Sequence, residues 1–134
     1  MARKQITALL PNKIGSLAKV AKTLAAAKVN IEGISMVENT DSGMARMIVS
    51  NVGAAKTALN KAGIAYTIQD VEVVALKDAP GSLAAAAGKL ARAKVSIHYF
   101  YGTACNCACG KKCDCQCLFV ISASDLKKAK ALLG

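Results

Sequence analysis

The sequence predicts an α+β fold of two βαββαβ repeats in tandem. Three observations carry this prediction. Shifting the 134-residue chain by 66 lays it on itself, with 11 identities among the 17 positions from Gly15 to Ile31 against Gly81 to Ile97. Each matched stretch reads as a loop, an amphipathic helix and the entry to a strand. Short apolar runs bounded by turn-forming residues flank each helix.

Repeat one spans 1–70. Gln5 to Leu9 is a short strand and Pro11 to Gly15 a loop. Ser16 is an N-cap candidate for a helix to about Ala27, with Leu17, Val20, Ala21 and Leu24 on one face. Val29 to Glu38 and Met44 to Ser50 are strands joined by Asn39-Thr40-Asp41-Ser42-Gly43, which has hairpin-turn chemistry. A short helix over about Val52 to Ala62 stops at Gly63, and Ile64 to Ile68 is the fourth strand.

Repeat two spans 71–134. Its first strand is Val71 to Leu76, its loop Lys77 to Gly81 and its helix about Ser82 to Ala93. Strands follow over about Val95 to Cys109 and Cys113 to Ser122, then a helix over about Ser124 to Leu133. No fourth strand follows that helix, so one sheet edge is expected to be short and open to a partner subunit. Ile48-Val49-Ser50 falls on Val120-Ile121-Ser122 at a shift of 72, which makes the second hairpin six residues longer than the first.

Apolar residues make up 54% of the chain and charged residues 19%, enough for a core and contrary to disorder. With no Trp, two Phe and three Tyr, the core is built from Ala, Leu, Ile and Val. Eighteen Lys+Arg against eight Asp+Glu give +10. The cations are scattered in runs no longer than two, without interleaved aromatics, so they read as solvated helix faces and nucleic acid is not an expected partner. The N-terminus lacks the apolar segment of a secretion signal. No apolar stretch approaches the ~20 residues of a membrane span, so a membrane is not an expected partner and a cytoplasmic location is expected.

Leu76-Lys77-Asp78-Ala79-Pro80-Gly81-Ser82-Leu83 resembles the D-x-P-G-x-L turn into the first helix of ACT domains, and Ala27-Lys28-Val29-Asn30-Ile31 resembles that family's entry to its second strand. The resemblance covers nearly the whole chain and implies two ferredoxin-like, ACT-like repeats. Repeat one departs from the pattern, since Asn12-Lys13-Ile14-Gly15 keeps Gly without Asp or Pro, and repeat two has Ser96 where repeat one has Asn30. The resemblance implies a regulatory sensor that pairs, as a dimer or larger homo-oligomer, and binds an amino acid or similar small molecule. The implied ligand residues are Asn12, Gly15, Ser16 and Asn30 in repeat one, and Asp78, Pro80, Gly81 and Ser82 in repeat two. Helix N-termini offer free N–H groups and a positive dipole end to a carboxylate. The plainer alternative is that both glycine turns are only tight connections.

The sharpest chemical signal is the hairpin 104–118, which holds all six cysteines: Cys105, Cys107, Cys109, Cys113, Cys115 and Cys117. A disulfide framework would spread them along the chain. If Gly110-Lys111-Lys112 is the loop, facing residues have numbers summing to 222. Cys109 then faces Cys113, Cys107 faces Cys115 and Cys105 faces Cys117, all on one face. Cross-strand Cβ atoms lie ~5 Å apart and successive rungs ~7 Å, so two rungs bring four sulfurs near one point. Three chemistries fit: thiolates on zinc or copper(I), an iron–sulfur cluster, or cross-strand disulfides and redox thiols. A packed run of small apolar Cys is the bland reading, and an extended hairpin would expose too many of them. His98, the single histidine, points by strand parity away from the ladder unless Gly102 introduces a bulge. Tyr99, Phe100 and Tyr101 read as core or interface residues.

No Ser/His/Asp set, Cys/His pair at plausible spacing or phosphate-binding loop is visible, so hydrolysis and phosphoryl transfer have no support and the protein is not expected to be an enzyme. The rival to the sensor reading is metal storage or delivery, or iron–sulfur redox chemistry, with the fold as scaffold.

Overall fold

The computed structural model describes residues 1–103 and 116–134. The chain divides into two compact units, the first being Lys4–Gln69 and the second Met1–Arg3 with Asp70–Gly134. The described elements are β1 (Ala2–Pro11), α1 (Ser16–Ala26), β2 (Ile31–Glu38), β3 (Ser42–Val49), α2 (Val52–Lys61), β4 (Tyr66–Lys77), α3 (Ser82–Arg92), β5 (Ile97–Gly102), β6 (Gln116–Ala123) and α4 (Leu126–Leu133). This is the α+β, βαββαβ order expected. Ile64 to Ile68 and Val71 to Leu76, read as two strands, fall largely within one twelve-residue strand, β4.

In the first unit the strand order is β2-β3-β1-β4. β1 and β3 pair antiparallel, Ala8 opposite Ala45, and β2 pairs with β3, Met36 opposite Ala45. Ile6, Ala8 and Leu10 of β1 and Ala45, Met47 and Val49 of β3 form one buried cluster with Val20 and Leu24 of α1 and Ala55 and Leu59 of α2. The spacing of Val20 and Leu24 is one helical turn, which places both on the same stripe. Leu17, assigned to that stripe, is 40% exposed instead. On the other face of β1, Gln5 and Thr7 are buried, and Gln5 Nε2 donates to Thr7 Oγ1 (3.2 Å) and to Gln69 Oε1 (3.3 Å).

The second unit has the order β1-β4-β6-β5. Val74, Leu90, Val95, Ile121, Ala123 and Ala129 make its core, with Phe100 and Phe119 stacked at 5.0 Å against it. Its closing strand corrects the sequence reading. Residues 1–3 take the position of the fourth strand: Val73 N–H donates to Met1 O (2.9 Å), and the Met1 ammonium donates to Val73 O (2.6 Å). The same ammonium makes a charge contact with the buried Glu72 carboxylate at 2.8 Å. The edge expected to lie open is therefore occupied by the start of the chain, a pairing that a search for a strand after α4 cannot find.

The helix ends repeat between units. α1, α2 and α3 each end in a Schellman motif: Lys28, Gly63 and Lys94 donate to Ala25 O, Asn60 O and Ala91 O, and the next residue donates to Leu24 O, Leu59 O and Leu90 O. All three motif residues have positive φ, at 58°, 69° and 56°.

Candidate functional site

The two turns built on the internal repeat have the same local geometry. In the first, Lys13 N–H donates to Pro11 O and Ser16 N–H to Lys13 O; in the second, Ala79 N–H donates to Lys77 O and Ser82 N–H to Ala79 O. Gly15 (φ 91°) and Gly81 (φ 88°) are the N-cap residues of α1 and α3, both left-handed. Only glycine takes this conformation without strain, which explains its place in both turns.

Ser16 does not cap α1 as the sequence suggested. Its hydroxyl donates to Pro11 O at 2.8 Å, and no side chain caps α1 or α3. The other two helices differ: Asn51 accepts from Ala54 N–H at 3.0 Å, and Asp125 accepts from Lys128 N–H at 2.9 Å. The turns into α1 and α3 thus leave first-turn N–H groups without the side-chain oxygen that serves α2 and α4.

A hollow of about 390 Å³ opens beside the first turn. Asn12, Lys13, Gly15 and Ser16 border it from the turn, and Met36, Glu38 and Gly43 from β2 and β3. Asn12 also donates through Nδ2 to Thr40 O at 3.1 Å, tying the turn to the hairpin tip. A second hollow of about 400 Å³ lies on the β4 side of the same turn, against Gly63, Ile64 and Ala65. A larger groove of about 600 Å³ runs between α1 and α2, but it is walled mainly by alanines and offers one charged group, Lys61. The turn hollow is the better binding candidate, because it combines both charge signs with a helix N-terminus.

Beside the second turn the hollow shrinks to about 100 Å³, bordered by Asp78 and Ser82 from the turn and by Cys117 and Phe119 from β6. Pro80 and Gly81 shape that turn without bordering the hollow. Asn30 stands past the C-terminal end of α1, an eleven-residue helix about 16 Å long, so the first unit does not bring it to Asn12, Gly15 and Ser16. Met36, Glu38 and Gly43 were missed by sequence reasoning. They lie in a hairpin of ordinary turn composition, and only the β1–β3 pairing, Leu10 opposite Gly43, brings them to the turn.

The cysteine hairpin falls mostly on 104–115, outside the described residues, so the expected ladder lies there too. The described strands before and after that stretch are in register. Phe100 faces Ile121, Tyr101 faces Val120 and Gly102 faces Phe119, each pair summing to 221. Cys105 opposite Cys117 sums to 222, so the one-face ladder requires a one-residue shift beyond Gly102. Cys117 itself is disulfide-bonded. The bulge in β5 falls at His98, between Ile97 and Tyr99, and not at Gly102. Gly102 instead makes room for Phe119, whose Cε1 lies 3.3 Å from where a Cβ would stand. Tyr99 and Tyr101 stack at 6.3 Å and are half-buried. Among the described residues no group of three or more His, Cys, Asp or Glu is placed to hold a metal, and no helix is long and apolar enough to cross a membrane.

Comparison with known proteins agrees with this architecture. No curated protein matches the chain. A protein of Bacteroides thetaiotaomicron, BT0572, is similar in structure with a TM-score of 0.87 and 32% identity, over 99% of this chain and 87% of that one. The regulatory subunits of aspartate kinase from Thermus thermophilus (17% identity, TM-score 0.65, 97% and 87% covered) and Thermus flavus (16%, 0.61, 97% and 89%) share the fold. The ACT domain pair family profile matches residues 1–110, and with the two glycine turns and paired βαββαβ units described above, the chain belongs to that family.

Proposed function

We propose that this chain is a non-catalytic regulatory protein that binds an amino acid beside the turn into α1. The observation that carries the reading is the contrast in capping: α2 and α4 have Asn51 and Asp125 as side-chain caps, whereas α1 and α3 start at bare left-handed glycines. Free N–H groups at the positive end of α1 suit a carboxylate. Across the 390 Å³ hollow, Glu38 supplies the opposite charge for an ammonium. A zwitterion with a small side chain matches both ends. Membership of the ACT domain pair family and the likeness of the fold to aspartate kinase regulatory subunits support a regulatory role. A cytoplasmic location and assembly as a dimer or larger homo-oligomer belong to the same proposal. The second unit has no open edge there to drive assembly, because residues 1–3 fill it.

The test is a melting and calorimetric screen of the twenty common amino acids against the wild-type chain and E38Q. At least one amino acid is expected to raise the melting temperature, and E38Q is expected to weaken its binding tenfold or more. Absence of any shift across the series counts against an amino-acid ligand.

A further inference from the structure

Each repeat carries a groove between its two helices, and the two grooves differ in chemistry at matched positions. α1 and α3 correspond at the shift of 66, and α2 and α4 at 74 by their caps, Asn51 and Asp125. Thr23, Ala26, Ala27, Thr57 and Ala58 border the first groove, of about 600 Å³. Their counterparts Lys89, Arg92, Ala93, Ala131 and Leu132 border the second, of about 490 Å³. On one wall, cations stand where the first groove has threonine and alanine; on the other, leucine stands in place of alanine. Lys128, the counterpart of Ala54 from the first groove, lies one turn before Ala131 and Leu132 on α4.

The charge is one-sided. α1, α2 and α3 each hold two Lys or Arg and α4 holds three, and no Asp or Glu lies within these four helices. Lys89, Arg92 and Lys128 are exposed, and none makes an ion pair with a described residue.

We infer that the groove between α3 and α4 docks an amphipathic helix of a partner protein, with an apolar stripe edged by Asp or Glu. A helix enters such a furrow by its apolar stripe, through residues spaced at i, i+3, i+4 and i+7. Ala93, Ala131 and Leu132 meet the stripe, and Lys89, Arg92 and Lys128 meet the acids. Nucleic acid fits less well, because the strip is apolar and none of the four helices holds an aromatic residue for stacking. α3, at eleven residues, is about 16 Å long and α4, at eight, about 12 Å, so the partner engages through roughly two to three turns. An interface of that size belongs to the weak, transient class. The inference goes beyond the amino-acid reading: it gives the chemistry of a target for a regulatory chain and requires no bound ligand.

The test uses the full-length chain and a fluorescent synthetic helix with a leucine stripe edged by glutamates. It should bind one per chain and shift the amide resonances of α3 and α4, leaving those of α1 and α2 in place. Raising the salt from about 0.05 M to about 0.5 M should weaken binding about tenfold. K89E/R92E should weaken it about tenfold or more, and K89Q/R92Q, which removes the charge without reversing it, by less. Both residues are exposed, so both variants should melt as the wild type does. K22E/K56E, which reverses two exposed cations on α1 and α2, should leave binding unchanged. Failure of the acidic helix to bind at low salt overturns the proposal. So does equally tight binding of a scrambled peptide of the same composition, a single-stranded oligonucleotide or phosphatidylserine vesicles; these results would assign a generic polyanion, nucleic-acid or membrane surface instead. The amino-acid screen above reads a different site, so its failure and this one are told apart.

Discussion

Asn30 and Ser50 hold each other in both directions. The Asn30 N–H donates to Ser50 Oγ at 3.0 Å, and the Ser50 N–H donates to Asn30 O at 3.0 Å. Ser96 and Ser124 repeat the arrangement, with bonds of 3.0 and 2.9 Å. Each pair joins the chain leaving a helix to the residue before the next helix's cap, Asn51 or Asp125. Ser50→Ala and Ser124→Ala should each destabilise the chain by about 0.5–1 kcal/mol, the low end for a hydrogen bond because the sites are solvent-accessible. Chemical denaturation measures this; a loss above about 2 kcal/mol from either change would assign the serine a larger role than one bond.

These serines also correct the repeat. Ser50 corresponds to Ser124, and Asn51 to Asp125, at a shift of 74, where the matching of Ile48-Val49-Ser50 to Val120-Ile121-Ser122 suggested 72. The second hairpin is eight residues longer than the first, not six. The shift of 72 lays Ile48 and Val49 on Val120 and Ile121, whereas 74 lays them on Ser122 and Ala123, so residue type favours the wrong register, and a strand pattern of period two is satisfied by any even slip. Only the cap and its hydrogen bonds distinguish them. The helices and turns were legible because Gly15, Gly81, Lys28 and Lys94 sit at fixed offsets from the apolar stripe. The closing strand at 1–3 and the meeting of Gly43 with the first turn were not, because each depends on pairing between distant segments rather than on any local signal.

Lys28 and Lys94 occupy positions where Gly63 stands in α2, at φ 58° and 56°. A left-handed conformation costs a residue with a Cβ about 1–2 kcal/mol. Glycine removes that strain but gives back roughly 0.5–1 kcal/mol in unfolded-state entropy. A lysine at a helix C-terminus also gains a few tenths of a kcal/mol from the dipole. The balance still favours glycine, so K28G and K94G should each stabilise by about 0.5 kcal/mol. Lys28→Ala keeps the strain and loses the charge, and should be neutral or slightly destabilising. Melting curves of the three variants decide it; destabilisation by both glycine variants would show that the lysines make a contact worth more than the strain.

The six cysteines remain the sequence's strongest chemical statement, and we predict that they bind a soft metal ion, zinc or copper(I), through two neighbouring rungs of a ladder. Cys107 and Cys115 neighbour both outer rungs, so every four-sulfur set made from adjacent rungs uses them. Replacing both by Ser should abolish binding. Replacing only Cys105 and Cys117 by Ser, or only Cys109 and Cys113, should leave one four-sulfur set and measurable affinity. The ligands must be reduced thiolates, so the metal should compete with the disulfide at Cys117 and affinity should fall as pH drops. The register separates this from its rivals. At a sum of 222 all six side chains share one face, whereas at the 221 seen from Phe100 to Gly102 the cysteines of the two strands would alternate to opposite faces. With three sulfurs per face, no single rung pair dominates and no four-sulfur set forms within one hairpin. Metal stoichiometry and competition affinity of the three double variants, purified anaerobically, distinguish the two. Equal losses from all three would rule out the two-rung site and favour a cluster shared between subunits, which a brown, visible-absorbing protein would reveal.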